Sequence, residues 1–128
     1  MKPLLITIVA QEHQRQDWYF DFAGERFKDF IERLTSDMQP LGIAVQLAYR
    51  AEQVIVINSY ADLLNCVKIS SPQDHHHNQC VGHIIDKSAQ LDILEDIDRA
   101  VRRVAFAPET IAPDSAFRKV CHNCGCGC

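Results

Sequence analysis

The first apolar stretch, Leu4 to Ala10 (LLITIVA), is unbroken, as in a strand covered on both faces. The polar QEHQRQD that follows has no period and predicts a loop. From Phe20 to Met38 the apolar positions Phe20, Ala23, Phe27, Phe30, Ile31, Leu34 and Met38 recur at three-four spacing. That spacing predicts an amphipathic helix with a Phe-rich stripe. It closes at Gln39, because a residue before proline is steered away from helical dihedrals. In IAVQLAYR, Ile43, Val45, Leu47 and Tyr49 alternate with Ala44, Gln46, Ala48 and Arg50, a strand by period. The β-branched QVIVIN (residues 53–58) predicts a second, central strand, and CVKI (66–69) a further one, with SYADLLN as connection. SSPQDHHHNQCVGH (70–83) is polar, contains Pro72 and predicts a loop.

Leu91, Leu94, Ile97, Val101 and Val104 mark a second helix, with Ser88 as the expected N-cap. Asp92, Glu95 and Asp96 crowd its first half while Arg99, Arg102 and Arg103 occupy the second, which suits the helix dipole. Glu95 with Arg99, and Asp98 with Arg102, are spaced as four-residue ion pairs. Pro108 ends the helix. The fold class expected is α/β, a small sandwich of a mixed sheet with two main helices. One domain spans residues 1–107, followed over 108–128 by a Pro-containing connector and a Cys-rich metal-binding tail. The element order resembles a thioredoxin-like core, with a ferredoxin-like sandwich as the alternative. The stretch QEHQRQDWYFDF after the first strand has no cysteine, so the thioredoxin family's CxxC is absent there.

Composition narrows the classes of function. A chain of 128 residues can bury a core without disulfide staples, and its net charge of −4 disfavours a phosphate backbone as partner. No nucleic acid and no membrane are expected as partners, since no segment approaches the ~20 apolar residues of a spanning helix. MKPLLITIVA is expected to be a strand and not a signal peptide, which makes the cytoplasm the expected compartment. Thiols stay reduced there, so clustered cysteines point to metal or redox chemistry ahead of structural disulfides.

Four of the six cysteines fall in the last eight residues, CHNCGCGC. Cys121 and Cys124 have C-x-x-C spacing followed by Gly125, which lets a tight turn aim two thiolates at one metal. The unit resembles half of a zinc-ribbon site. CVGH, carrying Cys80 and His83 at the same spacing, is a candidate second half that completes a Cys₃His set. Cys126 and Cys128 would remain outside such a site. The stretch Cys124, Gly125, Cys126, Gly127 resembles the C-G-C-G ending of A-type iron–sulfur carriers, which implies a cluster held with a distant third cysteine, here Cys66 or Cys80. Val120, Cys121, Cys124 and Cys126 also resemble the V-C-x-x-C-x-C claw of nitrile hydratase α chains, although His122, Asn123 and Gly125 depart from it.

Thiolates this crowded repel one another in water, and a soft cation removes that penalty. The cofactor expected is an iron–sulfur cluster or zinc, handled or transferred through Cys121, Cys124, Cys126 and Cys128, with Cys80 and His83 as further ligands. The partner expected is a protein that receives or supplies metal or electrons. Two alternatives stand beside this: a thiol redox protein cycling a disulfide in the tail, and a non-catalytic adaptor with a structural Cys₃His zinc. His75 to His77 form an accessory candidate patch, Cys66 reads as a buried small hydrophobe, and no catalytic constellation is recognisable.

Overall fold

The computed structural model describes residues 2–13, 20–85 and 91–111. Its frame is a four-stranded mixed sheet: β1 (Lys2–His13), β2 (Ile43–Ile57), β3 (Val67–Ser71) and β4 (His76–Cys80), in the order β2-β1-β3-β4. β1 runs parallel to β2 and antiparallel to β3, and β4 is antiparallel to β3. Among the described residues four α-helices accompany the sheet: α1 (Glu25–Met38), α2 (Tyr60–Asn65), α3 (Val81–Ile85) and α4 (Ile93–Phe106). The α/β class, the mixed sheet and the two main helices, α1 and α4, agree with the sequence pattern. Among the described residues no helix is long and apolar enough to cross a membrane.

Alternation along β1 divides its side chains between two faces. Leu4, Ile6 and Ile8 point one way and are at most 2% exposed. They meet Val45 and Leu47 from β2 and Val67 and Ile69 from β3, which the strand register brings to the same face. Phe27, Leu34 and Met38 of α1, and Ile97, Ala100, Val101 and Val104 of α4, close that core. Burying a side chain of this size stabilises by roughly 1.5–3 kcal/mol, so the core is the main source of cohesion.

Several boundaries differ from the pattern read along the chain, each for a local reason. The first strand continues through Gln11 to His13, because these polar residues pair with Ile55 to Ile57 of β2. The two strands read at 43–50 and 53–58 are one edge strand. A bulge opposite Val9 and Ala10 absorbs Ala51 to Gln53 without ending the pairing. α1 starts at Glu25, not Phe20: Asp21 accepts from the Ala23 amide at 3.0 Å, which fixes a turn, and Gly24 caps the helix in extended conformation. Phe20 and Phe22 still join the core, edge-to-face with Phe27 at 6.0 and 5.1 Å. Gly42, at φ 82°, makes the left-handed turn into β2 after α1.

The connection SYADLLN is the helix α2, capped by Ser59, whose hydroxyl accepts from the Asp62 amide at 3.4 Å. The stretch 70–83 is not a loop. It completes β3, turns through Pro72–Asp74, and forms β4 and α3. The cap of α4 is Asp92, which accepts from the amides of Leu94 (3.1 Å) and Glu95 (3.4 Å). Leu91 lies outside the helix at φ 53° and is half exposed; Ser88 is outside the described residues. Arg102 grips Asp98 through both carboxylate oxygens at 3.1 Å, while Arg99 reaches Asp96 at 3.3 Å.

Lys2 joins the start of β1 to the end of α4. Its Nζ donates to the carbonyls of Val104 and Ala105 at 3.0 Å each and pairs with Asp74 at 2.6 Å. A cation at a helix C-terminus opposes the helix dipole. Burial disfavours the Asp74 carboxylate, but hydrogen bonds from Lys2 and Ser71 and the charges of Lys2 and His76 outweigh it, holding its carboxyl below 3.8. A carboxyl depressed by folding adds stability that is full above its unfolded pKa and lost as pH falls through the folded one. Asp74→Asn is therefore expected to lower stability at neutral pH, with the difference from the parent shrinking below about pH 4. Urea unfolding at a series of pH values measures this, and parallel acid limbs would refute it.

Candidate functional site

Of the residues singled out for metal, Cys80 and His83 lie within the described residues; Cys121, Cys124, Cys126 and Cys128 lie outside them. Cys80 ends β4 and is 3% exposed, and His83 is part-buried one helical turn later in α3. The Cys80 sulfur accepts from Lys68 Nζ at 3.1 Å. Cross-strand register sets this contact, because Lys68 of β3 pairs directly with Cys80 of β4. Among the described residues no group of three or more His, Cys, Asp or Glu side chains could hold a metal ion.

Cys66 is fully buried at the α2–β3 junction and points its thiol at the Asp62 carbonyl, 3.5 Å away. Burial pushes this thiol up to about 12; Lys68 opposes the rise, while Asp62 and Cys80 add to it. Asn65, the residue before it, is also fully buried, and among the described residues neither polar atom of its side chain has a hydrogen-bond partner. An unsatisfied buried amide costs about 1–3 kcal/mol, so this junction is a strained point in an otherwise apolar layer.

The three histidines do not act together. His75 takes the left-handed turn position at φ 62°, His77 is exposed, and His76 is 5% exposed. His76 Nε2 donates to the Pro108 carbonyl at 3.0 Å, while Nδ1 accepts from the Gln79 amide at 3.1 Å. Arg103 donates to the Thr110 carbonyl at 2.8 Å, to its hydroxyl at 2.9 Å, and to the Ile84 carbonyl. With Ile111 buried, these bonds anchor the segment that leads toward the cysteines.

The sheet face opposite the core is chemically distinct. Leu5, Thr7 and Val9 of β1 point there, with Lys68, Ser70, Asn78 and Cys80, by register. Sequence reading passed over this group. Its signals were a threonine inside LLITIVA and a lysine inside CVKI, polar residues in otherwise apolar strands.

Two outcomes follow for the α2–β3 junction. With its thiol near 12, Cys66 is expected to resist iodoacetamide in the native protein at pH 8, where only about one thiol in ten thousand is ionised. Peptide-level mass spectrometry measures this, and rapid labelling of native Cys66 would contradict it. Asn65→Leu is expected to raise stability by about 1–3 kcal/mol in chemical denaturation; a loss would mean the amide is satisfied. Comparison of the chain with protein-family models, with curated proteins and with solved structures gives no match.

Proposed function

We propose that this chain is a thioredoxin-like protein that handles a thiophilic metal or iron–sulfur centre through Cys121, Cys124, Cys126 and Cys128, exchanging it with a protein partner. The observation that carries the reading is sulfur density: four cysteines within eight residues, jointed by two glycines. Such thiolates tolerate one another when a soft cation neutralises them. Glycine-jointed ligands exchange more easily than ligands locked in a core, which favours transfer over a buried structural ion.

The fold part of the reading is supported by strand order. β1 and β2 are adjacent and parallel, joined by α1, and an antiparallel β3–β4 hairpin adds to the other edge of β1. A ferredoxin-like sandwich is built on a split βαβ unit, whose two parallel strands have another strand between them. The thioredoxin-like form does not bring dithiol chemistry with it, since no cysteine follows β1 up to Asn65. Cys80 and His83 remain candidate donors in addition to the four tail cysteines. Recruiting Cys80 requires its sulfur to give up Lys68.

Protein produced anaerobically with iron and zinc in excess is expected to carry about one metal ion or cluster per chain by elemental analysis. The double substitution Cys124→Ser/Cys126→Ser is expected to remove most of it, while Cys80→Ser reports whether the domain contributes a ligand. A visible chromophore assigns iron–sulfur. A colourless chain that binds one zinc and melts on chelation assigns the structural adaptor instead. Metal-free protein under these conditions defeats the proposal, and thiol–disulfide turnover that survives chelation assigns a redox protein.

A further inference from the structure

We propose that the sheet face opposite the core carries a binding site for a small oxyanion, formed by Thr7, Arg50, Gln53, Lys68 and Asn78. These residues, with Val9, line a cavity of about 220 Å³. Its lining includes no cysteine.

Strand register assembles it. Thr7 pairs with Lys68 across β1 and β3, and Val9 pairs with Arg50 across β1 and β2. Lys68 in turn pairs with Cys80, two residues after Asn78. The bulge in β2 between Arg50 and Val54 returns Gln53 to the rim beside Arg50. Bulges of this kind re-aim side chains next to functional sites.

Every polar group in the lining can donate. Lys68 is part-buried, and among the described residues no carboxylate lies within ion-pair distance of it; its one contact is the Cys80 sulfur. Arg50 meets Glu52 only at 4.0 Å, in an exposed pair of the kind that contributes little. No described lining residue is acidic. Two cations, one without a carboxylate partner among the described residues and one in a weak exposed pair, are gathered here on a chain of net charge −4, so the positive potential is local to the cavity.

The neutral donors point to the same ligand. Thr7 is 3% exposed, and among the described residues its hydroxyl has no hydrogen-bond partner, although it lines the cavity. Ser70 accepts from the Asn78 amide at 2.8 Å and donates to Asn78 Oδ1 at 3.3 Å. That exchange fixes the Asn78 carboxamide and leaves its Nδ2 protons for another acceptor. Asn78 holds φ 50°, a left-handed conformation that asparagine tolerates better than most residues. A compact anion with several acceptor oxygens satisfies the ammonium, guanidinium, hydroxyl and amide together. The cavity lies below the ~300–1,000 Å³ range of sites for larger organic ligands, which argues against a nucleotide.

Inorganic phosphate is the probe. Titrated into the full-length reduced chain at low ionic strength, it is expected to give saturable amide shifts at Thr7, Lys68 and Asn78 in a ¹⁵N–¹H spectrum. Lys68→Met is expected to weaken binding at least about tenfold, as for loss of a charge-assisted bond. The near-isosteric Thr7→Val is expected to weaken it about fivefold, as for loss of one hydrogen bond, and it serves alone if Lys68→Met fails to fold. Arg33→Gln, remote from the cavity, is expected to bind as the parent does. Absence of saturable shifts, unchanged affinity in both variants, or acetate competing as well as phosphate at equal ionic strength would overturn the proposal.

Discussion

Everything in this fold is placed by β1, whose two edges are both hydrogen-bonded while its two faces meet different surroundings. One edge takes β2 in parallel, which requires the crossover that α1 supplies; the other takes the antiparallel β3. Because side chains alternate, Leu4, Ile6 and Ile8 are committed to the helical layer, and Thr7 is committed to the opposite face. A slip of one residue would turn Thr7 toward the apolar helical layer and set the isoleucines among Lys68 and Ser70. Lys2 adds a second constraint at the strand's start, since its ammonium binds the last carbonyls of α4. Strand and helix ends are thereby fixed together, 102 and 103 residues apart in the chain.

The sequence was legible where burial follows a simple period. LLITIVA, the stripe of α1 from Phe27 to Met38, and the stripe of α4 from Ile97 to Val104 all carry core residues. It was illegible where polar side chains are buried through mutual bonds. HHHNQC looks like a loop because of its polarity, yet His76 bonds both Gln79 and the Pro108 carbonyl inside the fold, so the backbone is free to be a strand. The merging of two strands into β2 failed to show for another reason: three extra residues, Ala51 to Gln53, break the alternation without breaking the ladder. At α4, Asp92 and Ser88 are both good cap residues by type, and the cap is found at Asp92, whose carboxylate accepts from the amides of Leu94 and Glu95. The polar sheet face was hidden for the same kind of cause, since Thr7, Lys68, Arg50 and Asn78 come together only through register.

The two chemical features of this chain are unlike in origin. The cysteine tail is a compositional feature that can be read without any structure, whereas the donor-lined face exists only because a mixed sheet aligns four strands. The proposed ligand set, if it includes Cys80, and the cavity share one link. Lys68 Nζ donates to the Cys80 sulfur and also lines the cavity proposed to take an anion. One ammonium cannot serve a thiol and an oxyanion at full strength simultaneously, so the two demands are linked and each weakens the other reciprocally. A divalent metal on Cys80 would bring two positive charges to the place where Lys68 now donates, and the ammonium would have to leave. An anion beside Thr7 and Asn78 gives it a destination within the same side chain's reach. Under the proposed reading, recruitment of Cys80 as a ligand is governed by where Lys68 rests more than by the C-x-x-H spacing of Cys80 and His83.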